Sequence, residues 1–327
     1  MTHWDDPALP AEFSLIARHF RPLAGPGARD LQDDVAVLIP PPGRELVITA
    51  DAMVAGVHFL PDDPPDGIGR KLLRANLSDI AAKGAIPLGY LITISAPRTT
   101  QDAWFAGFAA GLAADQKTFS VTLWGGDTTA TPGPFSLSLT LIGHVALGRA
   151  PSRGGARAGD GIWVTGTIGD GMLGLAVAQG RLLDPTGFLL DRYRLPRPRL
   201  GLAVGAYASA AMDISDGLVQ DLSHICRASG LAAAIEATRV PLSEPARNWV
   251  QAGVEPDGWI ACLTGGDDYE LLLAVPPARE AALRENAARA AIPITRIGGF
   301  HDGPAAVSVI GRDGRRLEIR SGGWSHF

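Results

Sequence analysis

The stretch Leu46-Val47-Ile48-Thr49-Ala50-Asp51 is an apolar run that ends in a carboxylate, and Val121-Thr122-Leu123-Trp124-Gly125-Gly126-Asp127 repeats this arrangement. Short apolar runs of this kind are typical of buried strands, and helical patterns at residues 69–84 and 101–115 alternate with them. A carboxylate that directly follows a strand is held at the edge of a sheet, where ligands tend to bind. The sequence therefore predicts an α/β protein with both of these carboxylates at strand ends.

Acidic motifs recur along the whole chain, and no lysine-bearing phosphate loop accompanies them. Besides the two above, they are Asp33-Asp34, Asn76-Leu77-Ser78-Asp79, Asp213-Ile214-Ser215-Asp216, Gly265-Gly266-Asp267-Asp268 and Glu270. Carboxylates that met in one place would repel each other unless cations lay between them. Hard oxygen ligands suit Mg²⁺, which usually binds together with phosphates. The motifs therefore predict a magnesium-dependent enzyme that acts on a nucleoside triphosphate.

Some of these motifs also have a simpler, structural interpretation. Asp33-Asp34 could be a solvated turn that precedes a strand at residues 35–39, because aspartate is common in turns. Gly125-Gly126-Asp127 could be a tight turn. Ser215 or Asp216 could cap the helix that follows, and a helix cap needs only one polar side chain.

Two motifs are harder to explain without a ligand. Ser78 and Asp79 lie within an apolar helical pattern, where polar side chains cost free energy unless they are paired. Asp267, Asp268 and Glu270 are three acids within four residues at the start of an apolar strand. This density indicates a binding or catalytic site.

A glycine-rich motif, Gly169-Asp170-Gly171-Met172-Leu173-Gly174, follows the predicted strand at residues 161–165 and resembles a dinucleotide-binding fingerprint. That fingerprint also requires a second strand that ends in an acid about 20 residues later. The chain instead continues into a proline- and arginine-rich segment, residues 192–199, which is predicted to be an exposed connection. The dinucleotide interpretation is therefore disfavoured, although a helix N-terminus at this motif could still hold an anion.

Composition narrows the class of protein. The chain has 327 residues, 46% of them hydrophobic and 19% charged, which predicts about two domains with large cores. A formal net charge of −5 without a basic run argues against nucleic acid or an anionic membrane as a partner. Cys226 and Cys262 form no CxxC pair, the N-terminus lacks a signal-peptide core, and no apolar stretch could span a bilayer. A cytoplasmic protein is expected.

The pattern of strands and helices is interrupted at Gly148-Arg149-Ala150-Pro151-Ser152-Arg153-Gly154-Gly155. A segment rich in glycine and in exposed polar residues is typical of a linker between domains. We therefore predict an N-terminal domain over residues 1–148 and a C-terminal domain over residues 149–327.

Taken in order, the motifs resemble the thiamine-monophosphate kinase family, within the superfamily of aminoimidazole ribonucleotide synthetase and selenophosphate synthetase. Further segments that carry the resemblance are Phe13-Ser14-Leu15-Ile16, Val54-Ala55-Gly56-Val57-His58-Phe59, Val164-Thr165-Gly166 and Gly323-Trp324-Ser325-His326-Phe327. Each motif is weak by itself, but their order and spacing cover essentially the whole chain. Selenophosphate synthetases carry an N-terminal cysteine or selenocysteine, whereas the first cysteine here is Cys226.

The resemblance implies transfer of the γ-phosphoryl group of ATP to thiamine monophosphate, by direct in-line displacement, to give thiamine diphosphate and ADP. It implies a two-domain α/β (α+β) fold like that of aminoimidazole ribonucleotide synthetase. The N-terminal domain would bind ATP and several Mg²⁺ ions and would pair with its twin through its sheet, and the C-terminal domain would be α+β. A homodimer is expected, with the active site in a cleft near the dimer interface.

The resemblance also assigns roles to individual residues. The implied metal ligands are Asp34, Thr49, Asp51, Asp79, Asp127, Asp213 and Asp216, among which Asp79, Asp127 and Asp213 are the catalytic set. The implied nucleotide contacts are Gly126, Asp127, Arg153 and Ser215. The implied contacts to thiamine monophosphate are His58, Asp267 and Trp324, since a carboxylate and an aromatic face suit its cationic thiazolium ring.

The chain departs from the family pattern at three places. Asp30-Leu31-Gln32-Asp33-Asp34 stands where the family usually has Gly-x-Gly-Asp-Asp. Ala50 replaces a hydroxyl residue, and Asp267 replaces a glutamate. Two alternatives stay open: another ATP-dependent synthetase or maturation factor of the same superfamily, and a non-catalytic nucleotide- or metal-binding protein, which is favoured if Ala50 and the Leu31-Gln32 change have disabled the site.

Overall fold

The computed structural model describes Trp4 and residues 10–253, 258–319 and 321–325, and the chain divides into two compact units. The first unit comprises Met1–Ile80 and Ile86–Leu147, and the second comprises Ala81–Ala85 and Gly148–Phe327. Each unit combines helices with its own sheet. The prediction of a two-domain α/β protein is therefore confirmed.

The first unit is built on a four-stranded sheet with the strand order β1-β4-β2-β3. Its elements are α1 (Ala11–Leu15), β1 (Arg44–Val54), α2 (Pro65–Ala82), β2 (Ile86–Pro97), α3 (Asp102–Phe119), β3 (Thr122–Thr131) and β4 (Ser136–Ala146). β4 pairs antiparallel with both β1 and β2, whereas β2 and β3 are parallel. This order leaves β1 and β3 as the two edges of the sheet.

The two faces of this sheet differ in what covers them. Alternate residues of β4, Leu137, Leu139 and Leu141, are completely buried, as are the apolar positions of α2 such as Leu72 and Leu77. The opposite face is open, and its exposed apolar side chains are Leu46 (45%), Ile48 (62%), Ile86 (55%) and Leu91 (39%). One sheet face therefore forms the core with the helices, and the other presents an apolar surface.

The second unit is built on a six-stranded sheet with the order β10-β7-β9-β5-β8-β6, antiparallel except for the β10–β7 pair. Its strands are β5 (Gly161–Thr165), β6 (Ala210–Ile214), β7 (Ala232–Glu236), β8 (Glu270–Val275), β9 (Ile294–His301) and β10 (Ala306–Ile310). Its helices are α4 (Asp170–Ala178), α5 (Phe188–Arg194), α6 (Val204–Tyr207), α7 (Leu218–Ser229), α8 (Glu244–Gln251), α9 (Gly258–Thr264) and α10 (Glu280–Arg289).

Helices cover both faces of this second sheet. Alternate residues of β5 belong to two different cores: Val164 packs in a core with Leu222 of α7, and Trp163 packs in a core with Leu283 of α10. β5, β6 and β8 are buried along their whole length, which explains why their sequences read as continuous apolar runs. Among the helices of the described residues, none has both the length and the apolar character needed to cross a bilayer.

Three expectations from the sequence about local structure are wrong. Residues 35–39 form no strand, and Val35, Val37 and Ile39 are exposed by 56, 51 and 94%. The apolar character of that segment therefore does not reflect a place in the core of the first unit. Asp51 and Asp127 do not follow their strands but lie within β1 and β3, which are longer than their apolar runs. The turn interpretation of Gly125-Gly126-Asp127 is wrong for the same reason.

In the second unit, the segment predicted as an exposed connection begins with Arg192, which is on α5 and only 2% exposed. Its burial depends on acidic partners far away in the sequence, described below. The ending that resembles the family is described as far as Ser325, and His326 and Phe327 lie outside the described residues.

Candidate functional site

Three predicted metal ligands of the first unit lie together between β1 and α2. Thr49 and Asp51 are two residues apart on β1, on the face that the helices cover, and the Thr49 hydroxyl donates a short hydrogen bond to the Asp79 carboxylate of α2. Asn76, one helical turn before Asp79, accepts the backbone N–H of Asp51 at 3.1 Å. We call Thr49, Asp51 and Asp79 the first-unit carboxylate group.

Among the described residues, the two carboxylates of this group have no basic side chain as an ion-pair partner. Burial raises the pKa of Asp51 to about 6, and the nearby Asp79 carboxylate acts in the same direction. Two close carboxylates and a hydroxyl form an all-oxygen set of ligands, which fits a hard divalent cation such as Mg²⁺. Ala50 lies on the opposite face of β1 from Thr49 and Asp51. The hydroxyl residue that the family usually has at this position would therefore not belong to this group.

Gly126 and Asp127 lie on β3, at the edge of the sheet opposite β1. A Cβ on Gly126 would come within 1.8 Å of the Ile92 carbonyl oxygen, so only glycine fits against β2 there. Asp127 is exposed and pairs in register with Thr93. Because β4 and β2 separate the two edges, the sheet of a single chain does not bring Asp127 next to Asp51.

Asp34 is exposed and lies in the loop that departs from the family's glycine pattern. Arg29, Asp30 and Leu31 have φ angles of 50, 57 and 54°, in the left-handed region that favours glycine. The Asp30 carboxylate accepts hydrogen bonds from Arg21 Nε at 2.9 and 3.0 Å, and this contact lowers the pKa of Asp30. The loop therefore adopts the conformation typical of glycine with other residues, held by side-chain contacts.

His58 lies in a tight turn after β1. Gly56 has a φ of 81°, and the backbone N–H of His58 bonds to the carbonyl of Val54. His58 Nδ1 accepts the backbone N–H of Val54 at 3.0 Å. The proton of a neutral imidazole is therefore on Nε2, which makes Nε2 a hydrogen-bond donor.

In the second unit, Asp213 is buried near the end of β6, and the loop that follows leads into α7. The Asp221 carboxylate, in the first turn of α7, accepts the backbone N–H groups of Ser215, Asp216 and Gly217 at 3.0, 3.1 and 3.2 Å. Burial, together with the charge of Asp216, raises the pKa of Asp221 to about 7. The predicted capping of α7 by Ser215 or Asp216 is therefore wrong, because Asp221 binds the free amides.

The C-terminal tail and the Asp267 segment both contact this loop. The Trp324 backbone N–H donates to the Asp216 carbonyl at 2.9 Å, and Gln220 Nε2 donates to the Trp324 carbonyl at 2.6 Å. The Asp267 backbone N–H donates to the Ser215 carbonyl at 2.9 Å. The structure thus brings together residues that are far apart in the sequence: Ser215, Asp216, Asp267 and Trp324.

Two further residues lie beside this loop. Asp216, Asp221 and His224 each place one ligand atom within 4.8 Å of the others, an arrangement that could hold a metal ion. Arg153 is exposed and lies close enough to His224 that its charge, after burial and Arg227, contributes to the lowered pKa of that histidine. Arg153 is therefore near α7 and the Ser215 loop.

Two acids of the dense motif at the start of β8 are not available to a ligand. Asp268 and Glu270 are 1% and 0% exposed, and both bind groups of the protein itself. Arg192 Nη2 and Arg199 Nη2 both donate to Glu270 Oε1, and Thr165 donates to Glu270 Oε2 at 2.7 Å. Of the three acids in this motif, Asp267 alone stays a candidate ligand.

Family models match both halves of the chain. Residues 32–145 match the N-terminal domain of AIR synthase related proteins, and residues 157–310 match the C-terminal domain of the same family.

Full-length relatives and solved structures narrow the family further. The chain is 45% identical to thiamine-monophosphate kinase of Caulobacter vibrioides, covering 98% of this chain and 94% of the relative. It is 38% identical to that of Escherichia coli K12, covering 97% and 98%. A crystal structure of thiamine-monophosphate kinase from Stenotrophomonas maltophilia superposes with a TM-score of 0.76 at 39% identity, covering 88% and 91% of the two chains.

More distant structures share the architecture. AaThiL in complex with AMPPCP and TMP superposes with a TM-score of 0.77 at 30% identity, covering 90% of this chain and 91% of that chain. The hydrogenase maturation protein HypE superposes with a TM-score of 0.75 at 21% identity, which shows the fold alone. From the full-length matches to named relatives, we conclude that this chain belongs to the thiamine-monophosphate kinase family.

Proposed function

We propose that this protein is an ATP-dependent kinase that converts thiamine monophosphate and ATP to thiamine diphosphate and ADP. The observation that carries the proposal is the match over nearly the whole chain, at 45% and 38% identity, to thiamine-monophosphate kinases. A structural neighbour binds AMPPCP and TMP together, which is the pair of ligands that such a reaction needs. The cytoplasmic location stays a prediction from the sequence.

The chemistry of the reaction suits a site made of carboxylates. The attacking atom is a phosphate oxygen that is already ionised near neutral pH, so no strong general base is required, and positioning for in-line transfer is sufficient. The main obstacle is repulsion between two polyanions, about 4 kcal/mol per pair of unit charges 4 Å apart at an effective dielectric of about 20. Bound Mg²⁺ would neutralise that charge. The residues proposed to hold it are Asp34, Thr49, Asp51, Asp79, Asp127, Asp213 and Asp216.

The remaining proposed contacts follow from donor and acceptor chemistry. His58 Nε2 is a donor and would bind the phosphate of thiamine monophosphate. Ser215, Gly126, Asp127 and Arg153 would contact the nucleotide. Asp267 and the exposed indole of Trp324 would bind the cationic thiazolium ring, and the contacts of both residues with the Ser215–Asp216 loop support a shared site.

We also propose that the active form is a homodimer paired through the first-unit sheet. The open face of that sheet presents Leu46, Ile48, Ile86 and Leu91, which are between 39 and 62% exposed. An exposed group of apolar side chains on one sheet face indicates an interaction surface. A second copy is the proposed occupant, because β1 and β3 are the edge strands of this sheet, which a two-fold partner could extend.

Edge pairing would also complete the proposed metal set. Asp127 is on one edge strand, and the first-unit carboxylate group is on the other. If β3 of one copy pairs with β1 of its partner, the edge strand that carries Asp127 in the first copy lies beside the edge strand that carries Thr49 and Asp51 in the second. The proposed site would then need both copies.

Release of ADP tests the proposed activity. We expect ADP to form from ATP and Mg²⁺ only when thiamine monophosphate is added, with an equal amount of thiamine diphosphate. ADP release that does not depend on thiamine monophosphate would contradict the proposed substrate, and the absence of ADP under all these conditions would contradict the proposed reaction.

Mixing two inactive variants tests the shared site. Asp79→Asn and Asp127→Asn should each be inactive as homodimers. After random exchange of subunits, half of the dimers are mixed, and each of these has one site with both carboxylates, so about a quarter of the wild-type activity should return. If Asp127 acts with Asp79 of its own chain, no activity will return. Size-exclusion chromatography with light scattering provides the mass of the assembly.

A further inference from the structure

The glycine-rich motif at the start of α4 binds a carboxyl group, and this carboxyl group belongs to a side chain of the protein itself. The backbone N–H of Gly169 donates to Asp268 Oδ2 at 2.7 Å, and that of Gly171 donates to Asp268 Oδ1 at 3.1 Å. A helix N-terminus with free amides is a place where proteins commonly bind phosphates. Here Asp268 fills that place, so the motif anchors the Asp268 segment rather than a dinucleotide.

The residues on both sides of Asp268 have a backbone that side chains disfavour. Asp267 and Tyr269 have φ angles of 68° and 52°, in the left-handed region. Such a conformation persists only where the surrounding contacts determine it. The contacts that flank Asp268 are between the Asp267 N–H and the Ser215 carbonyl at 2.9 Å, and between the Tyr269 N–H and the Ile214 carbonyl at 2.8 Å.

Close packing leaves this segment no room to shift. A Cβ on Gly171 would lie 2.4 Å from the Asp267 carbonyl oxygen, and a Cβ on Gly266 would lie 2.4 Å from the Ser215 carbonyl oxygen. The start of α4 therefore lies directly against the backbone of Asp267. The loop of Ser215 lies directly against Gly266.

Buried charged side chains lie beside the contact between Asp268 and the start of α4, and they hold the same segment. Arg192 Nη2 donates to the Asp268 carbonyl at 3.1 Å and to Glu270 Oε1 at 3.0 Å. Asp170, the second residue of the glycine-rich motif, is fully buried and forms an ion pair with Arg192 Nε at 3.5 Å. Arg192 thus links α5, α4 and the segment that contains Asp267.

We infer that Asp268 is a positioning residue, which anchors its segment to the start of α4 and thereby fixes Asp267 in the conformation that binds thiamine monophosphate. This inference rests on the proposed role of Asp267 in the kinase. Asp268 itself touches neither substrate, since it is buried and both of its carboxylate oxygens bind backbone amides. It acts on the substrate through Asp267 alone.

The test compares two substrates in the full-length protein. Asp268→Asn turns one acceptor oxygen into a donor that faces a backbone N–H. We expect the KM for thiamine monophosphate to rise about ten-fold and the KM for ATP to change by less than about two-fold. Gly171→Ala, which keeps every charge but forces the Asp267 carbonyl to move, should have the same selective effect. It serves as the readout if Asp268→Asn does not fold.

A double-mutant cycle separates positioning from general destabilisation. Asp267→Asn should raise the KM for thiamine monophosphate to a similar degree, and adding Asp268→Asn to it should raise that KM by less than about two-fold more. The matched control is Asp160→Asn, which removes a carboxylate that is 3% exposed and binds the Arg157 amide and the Ser209 hydroxyl. It should lower the melting temperature comparably and leave both KM values unchanged.

Two outcomes would overturn the inference. One is an equal rise of both KM values in Asp268→Asn and Gly171→Ala, and the other is a full additional effect of Asp268→Asn in the Asp267→Asn background. Either would mean that Asp268 supports the unit as a whole. Failure of the proposed function would look different, because the wild-type protein itself would then show no turnover of thiamine monophosphate.

Discussion

The carboxylates in two acid-rich regions of this protein differ in the partners that the protein provides for them. In the first-unit carboxylate group, Asp51 and Asp79 lie close together, and no arginine or lysine of the described residues pairs with them. In the second unit, the buried carboxylates Asp268 and Glu270 bind two arginines, a hydroxyl and two backbone amides.

The difference shows that the density of acids in a motif does not identify a ligand site. Glu270 is as buried as any side chain in the protein, yet its charge is balanced from within. Asp51 is less buried and is not balanced, so its environment disfavours the charged form until a cation arrives. A cluster that the protein leaves unbalanced is the one that we expect to bind metal.

Removal of metal should have the largest effect on activity, because the proposed ligands need a cation, whereas Asp268 and Glu270 bind groups of the protein itself. We expect EDTA to abolish turnover, Mg²⁺ or Mn²⁺ to restore it, and Zn²⁺ to substitute poorly, because the proposed ligands are all oxygen atoms. The measurement is ADP release after dialysis against each metal. Full activity in a metal-free preparation would contradict the distinction between the two regions.

Asp79→Asn should lower kcat by about 10³-fold or more while the protein stays folded. Asparagine keeps the shape of the side chain and removes the charge that the proposed cation needs. Steady-state kinetics measures the loss, and thermal unfolding shows whether the fold is intact. Turnover like that of the wild type would remove Asp79 from the set of ligands.

Glu270→Gln should destabilise the second unit by about 3 kcal/mol, since it leaves the buried Arg192 and the partly buried Arg199 with less negative charge. Urea unfolding measures this change. The control is Asp191→Asn, which breaks an exposed pair with Arg197 at 2.9 Å and should cost less than about 1 kcal/mol. Equal effects of the two variants would mean that burial does not set the energy of these pairs.

Asp51→Asn should stabilise the metal-free protein, by about 1–3 kcal/mol at pH 8. The raised pKa of Asp51, about 6, means that the folded state binds more protons than the unfolded state between pH 4 and 6. Stability should therefore fall as the pH rises through that window, and the variant should lack this part of the slope. Denaturation in EDTA across this pH range measures both, and a loss of stability in the variant at pH 8 would contradict the unbalanced charge.

Trp324→Ala should have the smallest of these effects, an increase of about ten-fold in the KM for thiamine monophosphate, which corresponds to about 1–2 kcal/mol. The indole is 54% exposed, so its loss should not destabilise a core. The KM for ATP should change less than that for thiamine monophosphate. Unchanged kinetics for both substrates would mean that Trp324 is a surface residue that does not contact thiamine monophosphate.

Much of the secondary structure can be predicted from the sequence, because it follows from the local spacing of apolar residues. The apolar spacing of Leu72, Leu73, Leu77 and Ile80 predicted a helix over residues 69–84, and α2 spans Pro65–Ala82. The continuous apolar run at residues 161–165 predicted a strand, which is β5. Residues 35–39 are also a continuous apolar run, but the structure places them in a segment without strand structure, outside the four-stranded sheet of the first unit.

The residues that the sequence does not identify are those that support the site residues without being candidate ligands themselves. Asp221 is not among the residues that the sequence predicts for the site, although its position four residues after Gly217 at a helix start is a signal for binding amides. Arg192 falls in a segment that the sequence predicts to be exposed, because its acidic partner Glu270 is 78 residues away in the chain. Long-range pairing of this kind has no local signature.

The sequence by itself determined the α/β class, the order of the acidic motifs and the resemblance to a kinase family, since these depend on residue types and spacing. The tertiary structure decided which acids are open to a ligand, because the charge balance of a buried carboxylate depends on neighbours that only folding brings near. It joined Thr49 to Asp79 and Trp324 to Asp216, and it closed Asp268 and Glu270 within the protein. Composition alone could not separate these two kinds of acid, since both are aspartates and glutamates beside apolar strands.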